Sequence, residues 1–264
     1  MACLPPELVQ LTIGHLKGDK PALRNASLVC SEFRHPCQKL LFSELDIAVR
    51  LSASRVATAP GPRLLALFKE SHHLTFYVRK ITIDFDSFCP KTCASSDPKL
   101  PLALNLIPYG GVREVRLNGV VWEVLQPATQ NAIARHLRSP SLHSLSLNLH
   151  LHRPTDTVSL PSQNREVSLA VPYHKSERLD SMPIRLKSLR VSIQYPKQLQ
   201  ITSQFLLDKV NNIDLKGLQQ FYACTGLDSS APDVVPIYES TWRLVGGCAG
   251  SLEVLGYTPC KLGE

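Results

Sequence analysis

A chain of 264 residues with a hydrophobic fraction of 44% can bury a sizeable core, as one large domain or as a small and a larger one. Its net charge of +7 comes from scattered bases, and no Lys/Arg run reaches the density of a nucleic-acid arm, which argues against a nucleic-acid partner. No apolar stretch of about eighteen residues occurs. The start, Met1 to Pro6, lacks the basic and apolar regions of a signal peptide, so an intracellular, membrane-free protein, cytoplasmic or nuclear, is expected.

Residues 1–46 read as a separate helical unit. Leu4-Pro5-Pro6-Glu7-Leu8 is a helix start, because proline's missing N–H costs nothing in a first turn. Val9, Ile13 and Leu16 then recur at helical spacing, flanked by Leu8 and Leu11. Asp19 is a candidate N-cap for a second helix, with Pro21 in its first turn and Leu23 and Ala26 on its inner stripe. Ser31 is the expected cap of a third, in which Phe33, Cys37, Leu40 and Leu41 share one face; Pro36 should kink or delay it. Leu28-Val29-Cys30 is an apolar run without a polar break. A unit this small is marginal alone, and its surplus apolar surface suggests a partner.

The stretch Leu4 to Leu45 resembles an F-box, the motif by which F-box proteins dock onto the Skp adaptor of cullin ubiquitin ligases. The resemblance rests on Leu4-Pro5, Glu7-Leu8, Ile13, Leu16, Leu28-Val29-Cys30, Phe33 and Leu41-Phe42, and is closest to the fungal type. Phe33 stands where many members have Trp. The resemblance implies an adaptor-binding surface containing Leu4, Pro5, Leu8, Ile13, Leu28, Val29, Cys30 and Phe33, with no metal or cofactor. The alternative is an N-terminal cap whose apolar residues are all internal.

From residue 47 the pattern changes. Leu45 to Val49 alternates as a half-buried strand, residues 57–62 form a turn-rich link, and residues 63–71 read as a helix closed by His72 and His73. A motif then recurs: Val78-x-x-Ile81-x-Ile83, Val112-x-x-Val115-x-Leu117, Leu142-x-x-Leu145-x-Leu147 and Leu186-x-x-Leu189-x-Val191. Leu215-x-x-Leu218 with Phe221 is a weaker copy, and Ala249-x-x-Leu252-x-Val254 the last. The anchors are 34, 30, 44, 29 and 34 residues apart. Helical candidates lie between, at 100–106, 128–137, 204–210 and 240–245. One strand and one helix cannot bury their apolar faces alone, but stacked copies form a continuous core. Residues 47–264 therefore look like an irregular leucine-rich-repeat-like solenoid, giving an α/β fold overall, with a polar insertion near 153–180.

Chemistry-bearing patterns are sparse. No phosphate loop, dinucleotide loop or nucleophile elbow occurs, and Gly110-Gly111 and Gly246-Gly247 read as turns before strands. Cys89-x-x-x-Cys93 has no second half at zinc-binding spacing. His150-x-His152 and Asp84-x-Asp86 read as polar pairs on an open sheet face. The eight cysteines are irregularly spaced in a large chain, so no disulfide framework is expected. The sequence thus points to a non-enzymatic receptor that joins a protein substrate, through a Skp-type adaptor, to a cullin ligase. The rival is a repeat scaffold without a ubiquitin role.

Overall fold

Proline and aspartate placement sets the first helices. In this computed structural model residues 5–49, 59–85, 97–120, 125–149, 183–193, 202–203, 206–207, 213–225 and 234–259 are described. Pro5 is the extended N-cap and Pro6 the first residue of α1 (Pro6–Gly14). Asp19 caps α2 (Lys20–Val29), its carboxylate accepting the Ala22 N–H at 2.9 Å. The third helix, α3 (Ser31–Leu41), corrects two expectations. Cys30 is its N-cap and Ser31 is already helical, and the helix passes through Pro36 without delay. Proline removes one helical N–H, but burial of Cys37 beside it, with Phe33, Leu40 and Leu41 on the same core, holds the segment helical.

The three helices close on a small core of Val9, Ile13, Leu23 and Cys37. Burial pushes the Cys37 thiol up, with Cys30 a lesser cause, so this cysteine is a neutral apolar filler.

The remainder is α/β. Seven strands form one parallel sheet: β1 (Glu44–Val49), β2 (Lys80–Phe85), β3 (Glu114–Val120), β4 (Ser144–Leu149), β6 (Ser188–Ile193), β8 (Gln220–Thr225) and β9 (Val254–Pro259), in that order. Two short segments, β5 (Ile184–Arg185) and β7 (Ile213–Asp214), pair in parallel beside it. Parallel neighbours require a long crossover each time. The described crossover helices are α4 (Pro60–Glu70), α5 (Leu100–Leu106), α6 (Pro127–Leu137) and α7 (Val234–Cys248). α4 packs on α5 and α5 on α6, so these three share one face of the sheet. The larger core lies beneath them, from Ile47, Ile81 and Ile83 through Val115, Leu117, Leu145, Leu147, Leu189 and Val191 to Phe221.

Register corrects the last two copies of the motif. Leu189 pairs with Phe221 and Val191 with Ala223, which makes Leu218, not Leu215, the anchor. Phe221 in turn pairs with Leu255, so the last copy starts at Leu252 rather than Ala249. At the front, Leu45 pairs with Ile81 and Ile47 with Ile83, so β1 is itself a first copy with Phe42 as anchor. The larger domain thus begins at Glu44, inside the range first given to the helical unit. Three smaller corrections follow. The helix placed at 63–71 begins at Pro60, His72 and His73 open a separate 3₁₀ turn (His72–Tyr77), and Gly246-Gly247 lies within α7. Gly110 does form the turn before β3, with φ +84°. The insertion at 153–180, Cys89, Cys93, Asp86, His150 and His152 lie outside the described residues.

Candidate functional site

The apolar residues of the helical unit divide into two sets. Val9, Ile13 and Leu23 face inward, while Leu8 (50% exposed), Leu11 (65%), Leu28 (82%) and Val29 (71%) face solvent. Helical period explains α1, since Val9 and Ile13 are four apart and Leu8 and Leu11 lie off that line. On α2 the stripe through Leu23 and Ala26 turns away before Leu28, which leaves the last turn of the helix apolar and uncovered. Large exposed apolar side chains gathered on one small unit are a mark of an interaction surface.

Of the residues assigned by resemblance, Pro5, Leu8, Leu28 and Val29 are exposed, and Cys30 and Phe33 are half-buried, with Phe33 resting on the unit's own core. Ile13 is a correction: at 1% exposure it belongs to that core and supports the surface from behind, because it shares the inward line with Val9. Leu4 lies outside the described residues.

The unit is tied to the sheet by other residues. The Tyr77 hydroxyl and His35 Nδ1 lie 2.7 Å apart with their rings edge to face, and His73 Nε2 reaches Gln38 Oε1 at 3.4 Å. Ser43 accepts the Arg79 and Lys80 N–H groups with its carbonyl, and Lys20 meets Asp46 at 3.0 Å. Exposed ion pairs of this last kind contribute under about 1 kcal/mol. These ties run through α3, the start of α2 and β1. The last turn of α2 takes no part in them.

The second surface is the sheet face opposite α4, α5 and α6. Alternation places Glu44, Lys80 and Glu114 in one row, with Lys80 3.6 Å from Glu44 and 4.0 Å from Glu114. The next row holds Asp46, Thr82, Arg116, Ser146, Arg190 and Tyr222. Arg190 stacks over the Tyr222 ring at 5.0 Å. Asp84 in the third row accepts from Asn118 Nδ2 at 2.5 Å, so this carboxylate is engaged structurally. Cys224, on the same face, is disulfide-bonded, contrary to expectation. Spacing along a chain does not limit which thiols meet once a parallel sheet brings distant segments together.

Among the described residues no cluster of three or more His, Cys, Asp or Glu is placed to hold a metal ion. Among the described residues His136 is strongly perturbed, and the cause is its own packing. Burial between α5 and α6 lowers its pKa to about 4, against a raising effect of the bond that its Nε2–H donates to the Leu104 carbonyl at 3.0 Å. None of the described helices is long and apolar enough to cross a membrane. No protein-family model matches the chain, and no curated protein matches it.

Sequence reading missed the His35–Tyr77 junction and His136. Only the position of His136 on the inner stripe of α6, one residue before Leu137, signalled the latter in advance.

Proposed function

We propose that this protein is an F-box-type substrate receptor, in which the three-helix unit docks a Skp-type adaptor and the strand–helix domain holds a protein target. The observation that carries the reading is the exposure of Leu28 and Val29, at 82% and 71%, on a unit whose sequence order resembles an F-box. An N-terminal cap would bury these side chains against the body of the chain. Covering a Leu or Val contributes about 1.5 to 3 kcal/mol, so the two together with Leu8 supply much of the driving force for a modest interface.

The second domain reads as leucine-rich-repeat-like. One apolar anchor, one strand and one strand-to-strand step recur from Phe42 to Leu252, the anchors fully buried from Val78 to Leu218 and half-buried at the two ends, as expected of stacked units that bury a common core. On this reading the protein performs no chemistry. It raises the effective concentration of a bound target near the ligase, in the cytoplasm or nucleus. Two features favour the rival scaffold without a ubiquitin role. Phe33 is half-covered by its own unit, and the Cys224 disulfide suits a reducing compartment poorly.

Capture of a purified Skp-type adaptor by the full chain tests the proposal. Leu28→Asp/Val29→Asp should lower capture at least tenfold, while Leu102→Asp, at an exposed apolar position on α5, should not. Equal capture by all three, or none by the unaltered chain, overturns the reading.

A further inference from the structure

The sheet register aligns four basic residues that the sequence scatters over more than a hundred positions. In four successive copies the residue directly after the buried anchor is basic: Val78-Arg79, Val112-Arg113, Leu142-His143 and Leu186-Lys187. Each of the four is exposed. They are also lateral neighbours through the backbone. The Arg79 carbonyl accepts the Arg113 N–H at 2.7 Å, the Arg113 carbonyl that of His143 at 2.8 Å, and the His143 carbonyl that of Lys187 at 2.8 Å. With strands about 4.8 Å apart, the four side chains form a ridge roughly 14 Å long on the rim where the strands begin.

Like charges side by side are unfavourable without a counter-charge. Arg113 and Lys187 have no hydrogen-bond or ion-pair partner for their side chains among the described residues. Arg79 is held in place by donating Nη1–H to the Gly111 carbonyl at 3.0 Å, and His143 by donating Nδ1–H to the Ser141 carbonyl. The carbonyl that holds Arg79 leaves its charge uncompensated. The nearest acid in sequence, Glu114, already faces Lys80 and Arg116. The ridge has clear ends: its next member is Gln219, which donates to Glu253 at 3.0 Å, and the member before Arg79 is Ser43. A side chain already held in place, as Arg79 is, loses little freedom on meeting an anion.

We infer that this rim is a docking ridge for an acidic segment of a protein partner. An extended chain advances about 3.3 Å per residue, so roughly four or five residues span the ridge. A nucleic-acid strand is the poorer fit: the ridge carries no Phe, Tyr or Trp on which bases would stack, only the small imidazole of His143. The inference rests on the receptor reading only for the nature of the partner, a bound protein target.

The test is fluorescence anisotropy with the full chain, using labelled hexaglutamate and a labelled thymidine hexanucleotide over a salt series. Arg113→Glu/Lys187→Glu should weaken hexaglutamate binding roughly tenfold or more. Lys69→Glu/Arg243→Glu, on exposed faces of α4 and α7, makes the same net charge change and should leave binding nearly unaltered. Circular dichroism confirms that both variants keep the fold. Equal losses in the two variants reduce the effect to net charge and overturn the ridge, as does absence of binding by the unaltered chain. Tighter binding of the oligonucleotide than of the peptide overturns the protein partner. Leu28→Asp/Val29→Asp should bind hexaglutamate normally whatever its effect on adaptor capture, so failure of one proposal is distinguishable from failure of the other.

Discussion

Gly61 and His136 show how single atoms decide a local outcome. The Asp97 carboxylate accepts the Gly61 N–H at 2.7 Å and the Lys99 and Leu100 N–H groups at 3.1 Å each, joining the starts of α4 and α5. A Cβ at Gly61 would stand 2.3 Å from Leu100 N and 2.4 Å from Asp97 Oδ1. Replacing a helical glycine by alanine normally gains about 0.4 to 1 kcal/mol, but this clash is with backbone and with the very carboxylate that caps. Gly61→Ala should therefore destabilise by about 2 to 3 kcal/mol, read as a lower urea midpoint. No change or a gain would remove Asp97 as the joint. His136 makes a prediction about acid. Its folded pKa of about 4 lies below the ordinary 6.5, so between these values the unfolded chain holds the extra proton and stability rises with pH. Stability is complete above the upper value and falls as pH drops toward the lower, by about 3 kcal/mol in all. His136→Gln keeps a donor for the Leu104 carbonyl and should flatten that limb of the unfolding free energy against pH. An unchanged limb would assign the acid sensitivity elsewhere.

At the scale of elements, the sequence was most readable where side chain and backbone made the same demand. α5 was placed at its observed ends, and the first four strand motifs were in register, because Val, Ile and Leu at alternating positions leave no second alignment. The later copies slipped by three where Phe221 and Ala223 replace the usual aliphatic pair and Leu215 and Leu218 both offer an anchor. Gly246 and Gly247 looked like a turn but have α7 packing on both sides of them, through Leu244, Val245 and Cys248. The candidate surface was half legible. Composition marked the unit as over-apolar, while only tertiary packing separated inward Ile13 from outward Leu28. The corrected register has a consequence for stability. Leu189 and Leu255 are equivalent through Phe221, yet Leu189 is fully buried and Leu255 is 50% exposed at the sheet edge. Leu189→Ala should cost about 2 to 5 kcal/mol and Leu255→Ala less than about 1 kcal/mol. Chemical denaturation of the two variants checks the pair, and similar losses would mean that something covers β9.

At the scale of the molecule, the chain has two cores of very different size, joined through α3, the 3₁₀ turn and β1. Four buried residues hold the helical unit, whereas the sheet core runs unbroken from Ile47 to Cys248. A small core with few long-range ties opens at lower free energy than the body on which it sits. Amides of α1 and α2 should then exchange with solvent well before those of β2, β3 and β4. Ile13 offers a test of the proposed docking role, because its side chain is buried in the unit's own core. Ile13→Ala should cost the unit about 2 to 4 kcal/mol, speed exchange in α1 and α2 alone, and weaken adaptor capture in proportion. Leu28→Asp/Val29→Asp should weaken capture with exchange in the sheet and in α1 unaltered, because those side chains support nothing in the free protein. The two variants thus separate loss of the surface from loss of what holds it up. Faster exchange in β2 to β4 after Ile13→Ala would mean that both cores unfold as one, and the unit would then be an integral end of the sheet domain rather than a module with its own opening reaction.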